Sequence, residues 1–388
     1  MNLKKEIEFG GRKLTLETGH LAKQASGSCV VTYGETMLLV AATSSKGVEE
    51  DRGFFPLSVE YREKYYASGK IPGGFFKREA RPTEKEILSC RLTDRPLRPL
   101  FPKGFNNETS VVINVLSYDG ENEPDILGTI GASAAILVSD IPWNGPVASI
   151  RVGKIGDEII INPTIAQLEE SVFDIIVSGT SDSIVMVEGG SNFISENDLV
   201  ECIQEAHKAI KDVISLQQAV AKQLNITKRS VVEPEEDKEL LKSVDVIIKE
   251  DYRKLNEPKN KFDHYEDIRL YTEDVCGQLE DTYPDDIGAI KSYINDKISL
   301  DLREKTLNGQ RADGRDLDKV RDIAIELSIL PRTHGSSVFT RGETQALVVT
   351  TLGGKMDEQM LDSINGKEFK KNMLHYNFPS FCVGESRM

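Results

Sequence analysis

Cysteine is scarce in this chain and never paired: Cys29, Cys90, Cys202, Cys276 and Cys382 are isolated, odd in number and form no CxxC. That spacing argues against a disulfide framework and against a structural zinc site, and it fits the cytosol. Long apolar runs are missing as well. The longest, Ile126 to Val138, is interrupted by Gly128, Thr129, Gly131 and Ser133 and falls short of the ~18 residues of a membrane span. It reads as a buried helix of small residues, and no membrane association is expected. The first residues, Met1-Asn2-Leu3-Lys4-Lys5-Glu6, meet acidic side chains before any apolar stretch, so no secretory or transit segment is expected either. Positive charge is in deficit: 48 Lys and Arg against 63 Asp and Glu leave a net −15. A bulk negative potential repels nucleic acid, so any site for a polyanion has to be local.

What is present is globular, with 39% hydrophobic and 29% charged residues over 388 positions. A single core stops growing near ~250–300 residues, so two or three domains are expected. The chain also repeats itself. Gly27 to Val40 aligns without gaps on Gly335 to Val348, an offset of 308 residues that sets Gly34-Glu35-Thr36 over Gly342-Glu343-Thr344. Each copy is two β-rich runs around a Gly turn, the pattern of a β-hairpin. Similarity between unrelated hairpins is the competing account. The echoes of Gly11-Arg12 in Asp313-Gly314-Arg315 and of Val59-Glu60-Tyr61 in Tyr376-Asn377-Phe378 favour duplication.

Between the copies, Ser195 with Asp198 reads as a capping box, and Leu199, Ile203, Ala206, Ile210 and Val213 recur at helical spacing. A polar stretch from Asn225 to Asp237 follows. Then Leu240, Val244, Ile248 and Ile287, Ile290, Ile294, Ile298 carry helical periodicity to about Asn308. The first domain is therefore expected at 1–225, in parts of about 1–143 and 144–225. A helical domain follows at 238–308, and a second copy of the first fold at 309–388, cut short.

The segment richest in chemistry is Gly73-Gly74-Phe75-Phe76-Lys77-Arg78-Glu79-Ala80-Arg81-Pro82. Two aromatics with cations on a glycine-rich loop can stack bases on rings and hold phosphates. The plainer alternative is a loop whose phenylalanines tuck into the core while its cations face water. Thr83 and Glu86 form a T-x-x-E capping box, so a helix should open directly after the loop, with Arg91 and Arg95 on one face and Pro96 at its end. Arg98 follows. From Arg62 to Lys103 eleven Lys or Arg stand against five Asp or Glu, so this span carries +6 within an acidic chain. An ion-pair ladder of Arg91, Asp94 and Arg98 is a compatible structural role.

At this point the chain resembles the polynucleotide phosphorylase family. The matching stretches are Gly69 to Arg78, Arg91-Leu92-Thr93-Asp94-Arg95-Pro96-Leu97-Arg98-Pro99-Leu100-Phe101-Pro102, Ile130 to Ala135, and Leu330 to Gly335 with Thr340 to Leu347. The resemblance implies an α/β (α+β) fold in which an RNase PH-like domain, an all-helical linker domain and the start of a second RNase PH-like domain follow one another. It implies a homotrimeric ring whose aperture is lined by the aromatic loop, with Phe75 and Phe76 stacking on single-stranded RNA. Lys77, Arg78 and Arg81 would grip the backbone, and Arg91, Arg95 and Arg98 would extend the basic surface. The family commonly shows two arginines after the aromatics and a glycine after the glutamate. Lys77 and Ala80 depart from that, and Lys loses bidentate phosphate geometry.

The implied reaction is reversible, processive phosphorolysis of RNA from its 3′ end. Inorganic phosphate is the co-substrate, nucleoside diphosphates are released, and Mg²⁺ or Mn²⁺ polarises the phosphoryl oxygens. The family's phosphate-binding serines and metal-binding aspartates have no equivalents before Met388, so no catalytic residue or metal ligand is expected in this chain. His334, Ser336 and Asp357 are expected to be structural. One rival is a catalytically inactive RNA-binding and assembly fragment, with an RNA-degradation assembly as its setting. Another is a stand-alone scaffold subunit of an exosome-type ring, against which the duplicated hairpin and the module between the copies speak.

Overall fold

Gly34 takes a left-handed turn, φ +62°, that lets Gly27–Tyr33 (β3) fold back on Thr36–Ser44 (β4) with Tyr33 opposite Thr36 and Gly27 opposite Ala42. In this computed structural model, which describes residues 2–47, 54–73, 75–79, 81–231 and 237–386, that hairpin is the centre of the first sheet. Leu3–Phe9 (β1) and Arg12–Thr18 (β2) flank it on one side. Thr109–Ser117 (β6) and Leu57–Glu63 (β5) flank it on the other, β5 running parallel to β6. The order is β1-β2-β3-β4-β6-β5. The helix Glu84–Leu97 (α1) packs on β5, while Asp125–Leu137 (α2) covers β3 and β4.

α2 is buried all round, as its small residues foretold. A Cβ on Gly131 would stand 2.5 Å from Val40 Cγ2 and 2.8 Å from Val31 Cγ2, so only glycine lets this helix lie so close to the sheet. Its other side meets a second sheet of Ala148–Ile155 (β7), Glu158–Ile161 (β8), Phe173–Gly179 (β9) and Ile184–Ser191 (β10) in the order β10-β9-β7-β8. The short helix Ile165–Glu170 (α3) follows β8. The long helix Glu196–Leu224 (α4) closes this layer, burying Cys202, Ala206, Ile210 and Val213. Ser133 of α2 donates to Gln217 of α4 at 2.5 Å, and Gln217 donates to the Val147 carbonyl at 3.0 Å, so the polar atoms at this crossing are paired.

Lys238–Ile248 (α5), Lys261–Leu279 (α6) and Ile287–Leu307 (α7) share a separate core in which Leu240, Val244, Ile248, Val275, Ile290, Ile294 and Ile298 are buried. The strands Ile323–Leu327 (β11), Gly335–Arg341 (β12) and Thr344–Thr350 (β13) form one sheet, and Gln359–Ser363 (β14) with Gly366–Lys370 (β15) forms a hairpin. The chain divides into two compact units, Met1–Glu233 with Glu358–Met388, and Pro234–Asp357. The stretch 309–388, read from sequence as one partial domain, is thus shared between them, because the β14–β15 hairpin docks on the first unit.

The repeat holds in detail across its hairpins. β12 and β13 pair with Gly335 opposite Thr350 and Arg341 opposite Thr344, the β3–β4 register displaced by 308 residues. One expected equivalence shifts. Leu14 lies opposite Tyr33 and Ile323 opposite Arg341, so Arg321, not Arg315, takes the place of Arg12; the connection after β11 is one residue shorter than that after β2. Tyr376-Asn377-Phe378 is not a strand, since nothing among the described residues pairs with it as β6 pairs with β5. At Ser195 only half of the capping box forms: the hydroxyl accepts the Asp198 N–H at 3.1 Å, while the Asp198 carboxylate accepts the Ser195 hydroxyl and Lys154, each at 2.6 Å, and not the Ser195 N–H. Pro96 lies inside α1, in its last turn. The Arg98 N–H still reaches the Asp94 carbonyl and the chain runs on into a 3₁₀ turn, Arg98–Leu100.

Candidate nucleic-acid interface

The loop that carries Phe75 and Phe76 springs from a rigid base. After β5, a short 3₁₀ turn at Tyr65–Ser68 ends on Gly69 in the left-handed region. On the far side, Thr83 caps α1 through the reciprocal box with Glu86: the Thr83 hydroxyl accepts the Glu86 N–H at 3.2 Å and the Glu86 carboxylate accepts the Thr83 N–H at 2.7 Å. The other Glu86 oxygen accepts the Glu63 N–H at 2.9 Å, which ties the start of α1 to β5. Beneath lies a partly buried ion-pair network, Lys85 reaching Glu63 at 3.2 Å and Glu123 at 3.0 Å. Burial works against the Lys85 charge, but Glu123 and Glu63 hold its ammonium well above the ordinary lysine range. Burial also pushes the Glu63 carboxyl up, only partly opposed by Lys85.

The tip is the reverse of the base. Phe75 is 92% and Phe76 82% exposed, and their rings meet edge to face at 5.4 Å. The alternative in which they tuck into the core is not what the fold does. Lys77 adopts a positive φ of +51°, and Lys77, Arg78 and Arg81 are exposed with no hydrogen bond or ion pair among the described residues. Glu79 turns inward instead: its carboxylate accepts from Lys64 at 2.7 Å and from the Tyr65 N–H at 3.3 Å. Two neighbours named in the sequence reading, Gly74 and Ala80, lie outside the described residues.

The arginines of α1 divide. Arg91 is exposed and unpaired among the described residues. Arg95 is bonded to Glu188 of β10. Arg98 grips both Asp94 oxygens, at 2.9 and 2.6 Å, and donates to the carbonyls of Phe55 at 2.9 Å and Leu57 at 3.1 Å. The ladder considered from sequence therefore exists as the Asp94–Arg98 pair. His334, Ser336 and Asp357 each accept a backbone N–H, from Leu352, Leu330 and Gly354 respectively, and so hold turns. What the linear pattern did not reveal is the role of Lys70 and Tyr65, whose partners lie nearly 300 residues away in the β14–β15 hairpin.

Among the described residues no group of three or more His, Cys, Asp or Glu stands where it could hold a metal ion. No helix among the described residues is long and apolar enough to cross a membrane.

Comparison with known proteins agrees with this architecture. The profile of domain 1 of the 3′ exoribonuclease family matches residues 10–142 and again 319–388, marking both copies of the repeat, and that of domain 2 matches 145–209. A polyribonucleotide nucleotidyltransferase of Geotalea uraniireducens is 45% identical over 387 residues, covering 100% of this chain and 56% of that protein. One from Pelobacter propionicus is 46% identical over 382 residues, covering 98% of this chain and 54% of that protein. The chain thus spans about half the length of these curated relatives. With its two RNase PH-like profile matches and α/β layers, the chain belongs to the 3′ exoribonuclease family, among relatives named polyribonucleotide nucleotidyltransferase.

Proposed function

We propose that this chain supplies the RNA-capturing part of a polyribonucleotide nucleotidyltransferase, a cytoplasmic, homotrimeric enzyme that shortens single-stranded RNA from its 3′ end by reversible phosphorolysis. One observation carries the reading: two solvent-exposed phenylalanines stand beside three cations, Lys77, Arg78 and Arg81, that no carboxylate among the described residues neutralises. Exposed rings offer a face to any base, and unpaired cations offer charge to the phosphates, which is a sequence-tolerant grip. Arg91 adds a further cation unpaired among the described residues. Arg95 and Arg98 contribute less, since their guanidinium groups are already bonded within the fold.

In the whole enzyme, phosphate attacks the terminal phosphodiester and a nucleoside diphosphate leaves, with Mg²⁺ or Mn²⁺ bound by residues outside this chain. The Arg78→Glu/Arg81→Glu pair should weaken binding of a fluorescent oligo(A) 20-mer roughly ten-fold or more at modest salt and flatten the salt dependence, because each lost phosphate contact lowers the slope by about 0.7 for a single strand. Unchanged affinity would sink the reading. Incubating the 388-residue chain with poly(A), phosphate and Mg²⁺ tests the division of labour. Little or no ADP release is expected, and turnover at the rate of a full-length relative would place the chemistry here after all.

A further inference from the structure

A hairpin tip normally carries Asn or Gly and faces water. The β14–β15 hairpin keeps an Asn at its turn but buries the residue beside it. Its two-residue turn is Ile364-Asn365, and Ile364 is only 3% exposed, packed into the core of the first unit although most of the hairpin's strands are exposed. Around this plug the contacts fall on both sides of the aromatic loop. Before it, the Tyr65 hydroxyl donates to the Asp362 carbonyl at 2.8 Å, and the Lys70 ammonium donates to the carbonyls of Ser363 at 3.1 Å and Ile364 at 2.8 Å. Gly73 lies so close that a Cβ would stand 2.8 Å from Asp362 Oδ2. After the loop, Lys370 bonds Glu84, the first residue of α1, at 2.9 Å, and holds that carboxyl below its ordinary range.

We infer that the β14–β15 hairpin is a clamp that positions the Phe75–Arg81 loop for RNA, with Lys70, Ile364 and Lys370 as positioning residues; this rests on the reading of that loop as the RNA grip. Lys70 spends its charge on two backbone carbonyls, so it fixes the loop's near end instead of meeting phosphate. Lys370 fixes the far end. Between them the tip keeps its cations unpaired among the described residues. A loop held in place before the ligand arrives loses less freedom on binding than a loose one, and that difference appears as affinity. The device also ties the first copy of the repeat to the segment that follows the second, so RNA capture depends on residues far outside the loop.

The test uses the full chain with Phe75→Trp as a reporter, the one native tryptophan, Trp143, being buried. Lys70→Met and Lys370→Gln should each raise the mobility of the introduced indole in time-resolved anisotropy. Each should also weaken oligo(A) binding about 3- to 10-fold with the salt slope unchanged, because no phosphate contact is removed. Lys70→Arg, which keeps donors for the carbonyls, should restore binding. Ile364→Ser probes the plug; should that variant fail to fold, Lys370→Gln on the surface decides. Wild-type affinity and anisotropy in Lys70→Met and Lys370→Gln, alongside weakened binding in Arg78→Glu/Arg81→Glu, overturns the clamp and leaves the RNA site standing. Wild-type affinity in Arg78→Glu/Arg81→Glu overturns the site itself, and the anisotropy then decides the clamp alone.

Discussion

The two copies of the repeated hairpin have one backbone and two fates. β3–β4 and β12–β13 share turn, length of overlap and register to the residue. Yet Val40 is wholly buried, while Val348, its counterpart 308 residues on, is 51% exposed. The first hairpin has α2 across its face and β6 along its edge; among the described residues no helix packs on β11–β13 and β13 has no outer partner. Two β-rich runs around a glycine turn suffice to make a hairpin. They do not make a core, which needs a second layer to exclude water from the apolar face.

Matched substitutions make the sharpest attack on that contrast. Val40→Asp should cost about 4 kcal/mol or more, an unpaired carboxylate set between α2 and the sheet. Val348→Asp should stay within about 0.5 kcal/mol. Denaturant unfolding of both variants measures the gap, and equal losses would mean the second hairpin is covered in solution. The turns give a smaller difference. Gly34 and Gly342 both have positive φ, but a Cβ on Gly34 would meet Asn122 Nδ2 at 2.6 Å and Asp119 Oδ2 at 2.9 Å, whereas one on Gly342 meets only the flexible Arg321 side chain, at 3.1 Å. Gly34→Ala should therefore cost about 2–3 kcal/mol, and Gly342→Ala about 1 kcal/mol from backbone strain alone. A reversed order in thermal melts would contradict this.

The smallest effect is acid sensitivity. Burial alone would raise the Asp119 carboxyl, but bonds from the Asn122 N–H and side chain, the Glu121 N–H and Thr36 hold it below its ordinary range. That carboxylate also accepts the Glu35 N–H at the first hairpin's turn, at 3.1 Å. A depressed folded value means the unfolded chain takes up the proton first. The stability Asp119 lends is therefore complete above about pH 4 and is lost as the pH falls through the folded value. The protection factor of the Gly34-turn amides, exchange measured against the intrinsic rate at each pH, should fall there, and Asp119→Asn should remove that pH dependence. The Gly342 turn has no such carboxylate among the described residues, its N–H going to the Asp322 carbonyl, and should show no such step.

Much of the candidate site was legible along the chain because its determinants are local. The Thr83–Glu86 box spans four residues, so the helix start after the loop could be read directly. Exposure of Phe75 and Phe76 could not. A phenylalanine in a glycine-rich loop is compatible with either side of the surface, and only the packed base beneath it settles which. The arginines show the same limit: Arg91, Arg95 and Arg98 share one spacing pattern, yet Glu188 and the carbonyls of Phe55 and Leu57, distant in sequence, engage two of them and leave the third unpaired among the described residues.

By itself the sequence determined what short-range forces decide: the hairpins with their glycine turns, the helix caps, the periodic faces of α4, α5 and α7, and the concentration of cations between Arg62 and Lys103. Tertiary structure alone decided which hairpin is buried, which cations remain free, and that Ile364 plugs a core from which Lys70 and Lys370 brace the two ends of the aromatic loop. The reason is physical. Hydrogen-bond patterns and turns are fixed by neighbours a few residues apart, whereas burial and charge pairing depend on groups that only folding brings within a few ångströms.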